Sequence, residues 1–460
     1  MKSLLIGGAL AALLLPAAAS AQTLSGDHDH SCINATCTQV SIMDAFAESG
    51  EGGHWTGVEA PRFGTWGFDL AGRDLSVKPG DDFFRYANGR AFDALTIPSD
   101  RTNYGSFAVL RELSDNRLKA MVDQLTTRGD LRANTDEQRI ADLYRSYADQ
   151  ARVDQLDAQP LQPLLAAIRA ADTHEKMAAF MGGSQQRFGA SVFGAFISDD
   201  AKNPSRYITY LNQSGIGLPT RDYYLDARFA DKKEAYQAYA AQMLEMIGWA
   251  DPTQAAAAIV AMETRIAEAQ WTPAENRDDS KTYHAFTPAE LAAAAPGLDW
   301  NAYLGAAGLG SVETLVVRQD TAFPKIAAIY AETPVETLQA WQAFRTASEA
   351  APYLSQRFSD AQWQFYSHEL SGQPEQRPRD KRAVSFAEGA VGEAFGRLYV
   401  ADYFPAASKA KMEELVANLR TALAGRIRNL DWMSEETKQQ ALYKLEHFNV
   451  KIGYPTKWRD

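Results

Sequence analysis

The sequence predicts a mainly α-helical fold, a large helical lobe with a small β-hairpin. Apolar residues recur at intervals of three and four over most of residues 107–447, which is the period of an amphipathic helix. The stretch 191–211 differs, because two runs rich in β-branched and aromatic residues flank a polar loop there. The 460 residues are 46% apolar, as expected for a globular chain of about two to four domains.

Charge and hydropathy exclude several functions. The net charge is −12 and no basic tract is present, so we expect no nucleic-acid partner, because phosphates require clustered Lys and Arg. Residues 1–21 combine Lys2, an apolar run from Leu4 to Leu15 and small residues up to Ala21, which is typical of a signal peptide. The sequence therefore predicts an exported protein, periplasmic or extracellular, with no transmembrane segment in the mature chain.

Residues 22–60 show no periodicity and are predicted to be a disordered lead-in. The two cysteines of the chain, Cys32 and Cys37, lie in this stretch. They are compatible with a local disulfide or, together with His28 and His30, with a weak surface metal site. A flexible leader outside the fold is the favoured interpretation.

Residues 77–113 carry the densest group of unusual polar residues in the chain. Asp81 or Asp82 is predicted to cap a short helix of aromatic core residues that ends at Asn88-Gly89. After a loop containing Pro98, a long amphipathic helix is predicted to begin near Phe107.

The remaining elements follow in order. Thr135 and Gln138 predict a capping box, and 191–197 with 206–211 predict the hairpin. Helices are predicted over most of the chain from 232 onward, the last of them capped by Ser434. Residues 450–455 predict the start of a strand, and a chain that stops just beyond it at 460 is expected to be a fragment.

The sequence contains no complete active site. A zinc hydrolase needs two histidines one helical turn apart with a glutamate between them. His174-Glu175 and His368-Glu369 begin such a motif but lack the second histidine, so both are predicted to be helix-surface or loop residues. Adjacent acids such as Asp81-Asp82 fit a glycosidase poorly, because its two carboxylates must face each other across the substrate. No catalytic residue and no metal ligand is predicted in this chain.

Several segments together resemble the neprilysin and endothelin-converting-enzyme family of zinc metallopeptidases. They are 78–113, 217–226 (GLPTRDYYLD), 396–400, 432–455 and, more weakly, 275–287, and they occur in the family's order. Gly80 and Ala87 stand where animal members have cysteines, so a bacterial-type member is indicated.

The resemblance implies the N-terminal portion of a two-lobed, zincin-type metallopeptidase whose substrates are peptides. Residues 61–455 would form its helical region, and 456–460 the start of a C-terminal catalytic lobe that would be this chain's partner. The single zinc ion of the full-length protein would be bound beyond residue 460, by groups that this chain lacks. The 460 residues alone are therefore predicted to be inactive.

The resemblance also indicates a substrate-binding corner at Asn103, Tyr104 and Arg111, and Arg101 is included because it lies nearby, although it is off register with the family arginine. Asn103 stands where some members have an arginine that binds the substrate's C-terminal carboxylate, and Arg111 matches a second family arginine. Because Asn lacks a charged, forked donor, we expect weak carboxylate anchoring and endopeptidase activity. The alternative function is a non-catalytic periplasmic helical binding or scaffold protein.

Overall fold

The computed structural model describes residues 55–60, 70–184 and 187–459. The predicted signal peptide, the lead-in up to residue 54 and both cysteines lie outside the described residues. The α-helices are α1 (Phe83–Ala94), α2 (Ser106–Thr127), α3 (Asp136–Ala148), α4 (Gln150–Leu156), α5 (Gln162–Ala170), α6 (His174–Gly183), α7 (Asp222–Leu225), α8 (Ala230–Met246), α9 (Pro252–Ala269), α10 (Pro288–Ala294), α11 (Trp300–Ala306), α12 (Phe323–Glu332), α13 (Val335–Ala350), α14 (Gln356–Trp363), α15 (Arg379–Tyr403), α16 (Ala406–Arg428) and α17 (Glu435–Glu446).

Shorter elements connect these helices. The strands are β1 (Phe193–Asp200), β2 (Asn203–Gln213), β3 (His284–Phe286) and β4 (Leu315–Val317). Single 3₁₀ turns occupy Gln159–Leu161, Ala227–Phe229, Glu275–Arg277, Asp279–Lys281 and Ala351–Tyr353, and a π-helix occupies Gln364–Glu369. The mainly helical fold class is confirmed. None of the helices in the described part of the chain has the length and apolar character needed to cross a bilayer.

The chain divides into two compact units. The larger unit contains residues 150–373, and the smaller one combines the described residues before 150 with residues 374–459. The chain therefore leaves the smaller unit after α3 and returns to it before α15. Both units lie largely within the predicted helical region 61–455.

The larger unit is built around α13. This helix buries residues on nearly every face, among them the apolar Leu338, Trp341, Phe344 and Ala347 and the polar Gln342, Thr346 and Ser348, so it lies in the interior of the unit. The Phe344 ring packs against Tyr236 of α8, with 5.6 Å between the ring centroids. Apolar residues of α9 complete this part of the core.

The sheet of the larger unit has the strand order β1-β2-β4-β3. The predicted hairpin is confirmed, since β1 and β2 pair antiparallel from Phe193 opposite Gln213 to Asp200 opposite Asn203. The sequence analysis missed β3 and β4, because strands of three residues are too short to show a period. Strand β4 pairs parallel with β2, and β3 pairs antiparallel with β4.

In the smaller unit, α2, α3 and α15 pack together around Val122, Ile140, Ala387 and Phe395. Helix α15 is kinked at Val391, whose φ and ψ of −132° and 45° are not helical. Helices α16 and α17 contain no buried residues. Ser434 caps α17 as predicted, accepting a hydrogen bond from the backbone of Thr437 at 3.2 Å.

Three details of the sequence analysis are wrong. Asp82 does cap α1, but the helix continues past Gly89 to Ala94, and Phe83 and Phe84 are exposed rather than core residues. Residues 450–455 form no strand, because no described strand lies beside them to pair with their backbone. Instead, the ring of Tyr454 stacks on the ring of Trp458. The backbone carbonyl oxygen of Tyr454 accepts a hydrogen bond from Lys409 Nζ at 2.9 Å.

Candidate functional site

The predicted substrate-binding corner lies where the loop after α1 enters α2. Arg101, Asn103 and Tyr104 belong to the loop, and Arg111 lies on the second turn of α2. The loop is fixed within the smaller unit by Ser99, whose hydroxyl donates to the Glu375 carboxylate at 2.7 Å. The Ser99 carbonyl oxygen accepts a hydrogen bond from the backbone of Glu375 at 2.8 Å.

Glu112, which the sequence analysis did not single out, joins two of the four predicted residues. It is only 3% exposed. Its Oε1 accepts from Nε and Nη2 of Arg101, both at 2.9 Å. Its Oε2 accepts from the Tyr104 hydroxyl and, at 2.9 Å, from the backbone N–H of Trp55. A sequence signal exists, because Glu112 lies three residues after Val109 and one before Leu113, on the buried face of α2.

The charges and hydrogen-bond donors of this cluster are balanced within it, because Arg101 and Tyr104 both donate to the Glu112 carboxylate. Burial raises the pKa of the Tyr104 hydroxyl above its ordinary value, and the hydrogen bond to Glu112 raises it further. Tyr104 therefore remains a proton donor at neutral pH. The charge of Arg101 is balanced by the Glu112 carboxylate. Both side chains thus stabilise the loop through Glu112.

The other two predicted residues are exposed. Among the described residues, the Asn103 side chain donates one hydrogen bond, to the neighbouring Thr102 hydroxyl at 3.4 Å. The guanidinium of Arg111 has no ion pair or side-chain hydrogen bond within the described residues. The structure therefore places Arg101 and Tyr104 in a buried network and leaves Asn103 and Arg111 accessible to solvent.

Two further residues of α2 hold the segment 55–58 against this helix. Asn116 donates to the carbonyl oxygens of Trp55 and Gly57 at 2.7 and 3.2 Å. Arg117 donates to the carbonyl oxygen of Val58 at 2.7 Å. Sequence reasoning missed both residues, because no motif marks partners that lie about sixty positions away.

A small cavity of about 50 Å³ lies behind Arg101 and Glu112. Charged pairs line it, including Arg377 with Asp115 at 3.2 Å. Such a volume holds a few water molecules at most. The surface that this corner offers to a ligand is therefore mainly that of the exposed Asn103 and Arg111.

No group of three or more His, Cys, Asp or Glu side chains in the described ranges is arranged to hold a metal ion. His174 Nε2 lies 2.9 Å from the carbonyl oxygen of Thr333, and His368 Nδ1 lies 2.9 Å from that of Gln373. The described residues therefore do not fit the zinc ion that the family resemblance implies.

The segment 217–226 is held in the larger unit by a second buried glutamate, Glu263 of α9, which is fully buried. Its carboxylate accepts from the hydroxyls of Tyr224 and Tyr236 at 2.6 and 3.2 Å, and from the indole of Trp341 at 2.7 Å. The backbone N–H of Gly217 lies 3.3 Å from the same carboxylate. Burial raises the pKa of Glu263, against the lowering effect of the nearby Arg345 and of these donors.

Comparisons with known proteins agree with this architecture. The sequence profile of Peptidase family M13 matches residues 79–455. The chain is 27% identical over 402 residues to endothelin-converting enzyme 1 of Rattus norvegicus, covering 84% of this chain and 52% of that protein. The chain thus spans about half the length of the curated relatives it matches.

Two solved structures are also similar. The zinc metalloprotease Zmp1 of Mycobacterium tuberculosis, in complex with an inhibitor, is 35% identical with a TM-score of 0.78, over 85% of this chain and 60% of that one. PepO of Lactobacillus rhamnosis HN001 is 23% identical with a TM-score of 0.70, over 83% of this chain and 60% of that one. The second likeness shows the fold alone.

Proposed function

The chain belongs to peptidase family M13, and on that premise we propose that it forms the N-terminal part of an exported zinc metalloendopeptidase that hydrolyses peptides. The observation that carries the proposal is the family match over residues 79–455. The similarity to a zinc metalloprotease at 35% identity supports it. Export to the periplasm or the extracellular space rests on the predicted signal peptide at residues 1–21, outside the described residues.

We place the zinc ion outside this chain. The sequence contains no complete H-E-x-x-H motif, and the described residues hold no cluster that suits a metal. Under this proposal the partner of the chain is a C-terminal catalytic lobe that supplies the metal ligands. The two units described above would contribute peptide-binding surface.

The role proposed for the corner in the smaller unit follows from its exposure. Asn103 and Arg111 are accessible to a peptide, whereas Arg101 and Tyr104 fix the loop through Glu112. A neutral amide at Asn103 cannot form the charge-assisted, forked contact that an arginine makes with a carboxylate. The enzyme is therefore expected to act as an endopeptidase, which does not require a free C-terminal carboxylate close to the cleaved bond.

The decisive experiment is to isolate the native protein as its source produces it, then measure zinc content and peptide hydrolysis before and after chelation. One zinc ion per molecule and chelator-sensitive cleavage are expected. A metal-free protein without peptidase activity would contradict the proposal. It would favour the alternative, a non-catalytic helical binding or scaffold protein, which the lack of a metal cluster among the described residues also permits.

Carboxylate anchoring is tested on the same native enzyme with matched peptides that end in a free acid or an amide. Wild type should cleave both at similar rates. Asn103→Arg should favour the free acid by roughly tenfold, the effect of one charge-assisted hydrogen bond of about 1.5 kcal/mol. The matched control is Gln124→Arg, at an exposed position of α2, and it should leave the preference unchanged. A strong free-acid preference in wild type would contradict the assignment of Asn103.

A further inference from the structure

An open cavity of about 510 Å³ lies in the larger unit, at one edge of the sheet. Strands β2 and β4 run parallel, with Leu211 opposite Val317, so both end at this edge. Asn212 and Gln213 close β2, and Arg318 follows β4 directly. The backbone N–H of Arg318 donates to the carbonyl oxygen of Leu211 at 3.0 Å, which fixes its position.

Side-chain amides make the walls of this cavity rigid. The Gln213 amide donates to the carbonyl oxygen of Trp271 at 3.1 Å and accepts from the backbone N–H of Trp271 at 2.8 Å. Gln319 accepts from the backbone of Gln213 and donates to Asn276, both at 3.0 Å. Gln270 donates to the carbonyl oxygen of Ser214 at 2.9 Å. Preorganised walls lower the entropic cost of binding a ligand.

The segment 216–221 forms another wall of the cavity. The buried carboxylate of Glu263 holds this segment through the backbone N–H of Gly217. A Cβ at Gly217 would lie 1.8 Å from the Tyr236 hydroxyl oxygen and 2.4 Å from Arg345 Nη1. Only glycine allows the backbone to approach this closely. The network thereby fixes the position from which Arg221 projects.

The lining of the cavity carries positive charge and no acidic residue. Its lining residues include Arg221 and Arg318 but no Asp or Glu. Arg221 donates from Nε to the carbonyl oxygen of Ala267 at 3.0 Å. Its two terminal nitrogens form no hydrogen bond among the described residues and are available to a ligand. No carboxylate of the described residues lies within 4.0 Å of either guanidinium. The exposed Glu275 nearby interacts electrostatically with Arg221, but its carboxylate accepts its hydrogen bonds from the backbone N–H and the hydroxyl of Thr272, at 2.8 and 2.7 Å.

We propose that this cavity binds a carboxylate group of a peptide through Arg221 and Arg318. Arginine forms forked, charge-assisted hydrogen bonds with carboxylates, and the volume is that of a small-ligand pocket. Trp271, Pro219 and Ile216 offer apolar surface to the neighbouring atoms of the ligand. The carboxylate belongs either to a C-terminus or to an acidic side chain. That the ligand is a peptide rests on the proposed function.

The test measures binding of three acetylated tetrapeptides to the native protein, as its source produces it, by calorimetry at low salt after zinc has been removed with a chelator. One is tetra-alanine with a free C-terminus, the second is its amide, and the third is the amide with one alanine replaced by aspartate. At least one acidic peptide should bind roughly tenfold tighter than the neutral amide. Which of them does so identifies the source of the carboxylate. Equal binding of all three, or no binding, would overturn the proposal.

Variants assign the binding to this cavity. Arg318→Gln should weaken the acidic peptide roughly tenfold, and Arg318→Lys, which keeps the charge but loses the fork, by a few-fold. Arg265→Gln on α9 is the matched control, because Arg265 pairs with the exposed Glu332, and it should bind as wild type. Unchanged binding in a folded Arg318→Gln would overturn the proposal. Binding does not depend on zinc or hydrolysis, so this result is independent of the test of the proposed function.

Discussion

Replacing Glu112 by glutamine tests whether the corner at α2 is chiefly architectural. The substitution keeps the shape of the side chain and removes its charge. One oxygen remains to accept from Arg101, but an NH₂ group now faces the Tyr104 hydroxyl and the backbone N–H of Trp55. Tyr104 can rotate its hydroxyl to accept a hydrogen bond, whereas the N–H of Trp55 loses its acceptor at 2.9 Å and keeps only the longer contact, 3.3 Å, to the Tyr104 oxygen.

The magnitude follows from the burial of these groups. The side chains of Arg101 and Glu112 are 16% and 4% exposed, so their ion pair lies between a surface pair, worth up to about 1 kcal/mol, and a buried one, whose disruption costs about 3–5 kcal/mol. A buried N–H left without an acceptor costs about 1–3 kcal/mol, and the N–H of Trp55, which keeps the longer contact to Tyr104, should cost less than that. Because the glutamine retains part of the hydrogen bonding, we expect Glu112→Gln to lower the free energy of unfolding by about 3 kcal/mol.

The assay is urea unfolding of the full chain, followed by fluorescence and by hydrogen exchange of peptides from α2 and α9. The control is Asp123→Asn on the same helix, because Asp123 is 53% exposed and, among the described residues, forms an ion pair with Lys119 alone, at 2.7 Å. The control should lose less than about 1 kcal/mol. Exchange should accelerate in α2 of Glu112→Gln and remain unchanged in α9.

The opposite result would refute the reasoning. If Glu112→Gln and Asp123→Asn unfold at the same urea concentration, the carboxylate does not anchor the loop. Arg101 and Tyr104 would then be available to contact a ligand directly, as the sequence analysis predicts.

Two further predictions concern the larger unit and α15. Gly217→Ala should prevent stable folding, because its Cβ would lie 1.8 Å from the Tyr236 hydroxyl oxygen. The control is Gly389→Ala in α15, whose Cβ would meet no atom within 4 Å and which should raise the melting temperature slightly. Equal melting temperatures of the two variants would contradict this prediction. The hydrogen bond from Tyr283 lowers the pKa of Asp200 to about 2, so this carboxylate stabilises the fold above about pH 4 and loses its effect as the pH falls toward 2. Asp200→Asn should therefore melt with a shallower pH dependence between pH 2 and 5, and an unchanged slope would count against the assignment.

Much of the fold could be predicted from the sequence, because long amphipathic helices and the hairpin have periods that a single chain displays. Helix α2 was predicted near Phe107 and begins at Ser106. The period does not show which apolar residues are buried, however. Phe107 is 89% exposed, whereas Val109 on the same helix is 2% exposed. Strands β3 and β4 depend on partners distant in the chain, which local pattern cannot supply.

The candidate site was predicted less completely, because its partners are also distant. Arg101 and Tyr104 were predicted because they lie in or beside a segment that resembles the family, and the residue that joins them, Glu112, lies in the same segment 78–113 but was not singled out. No local signal links Trp55 to Glu112 or Gly217 to Glu263, since these pairs are separated by 57 and 46 positions. The substrate-binding role of the four residues stays a prediction.

The two buried glutamates share one arrangement, which ties the family segments to the cores of both units. Each lies on the buried face of a long helix, Glu112 on α2 and Glu263 on α9. Each accepts from a tyrosine hydroxyl of a family segment and from a distant backbone N–H. A buried carboxylate is costly unless such donors satisfy it. A stable fold therefore requires both loops to be in place, and the loops position Asn103 in one unit and Arg221 in the other. A charged residue within an apolar helical face is thus the sequence feature that would reveal such an anchor.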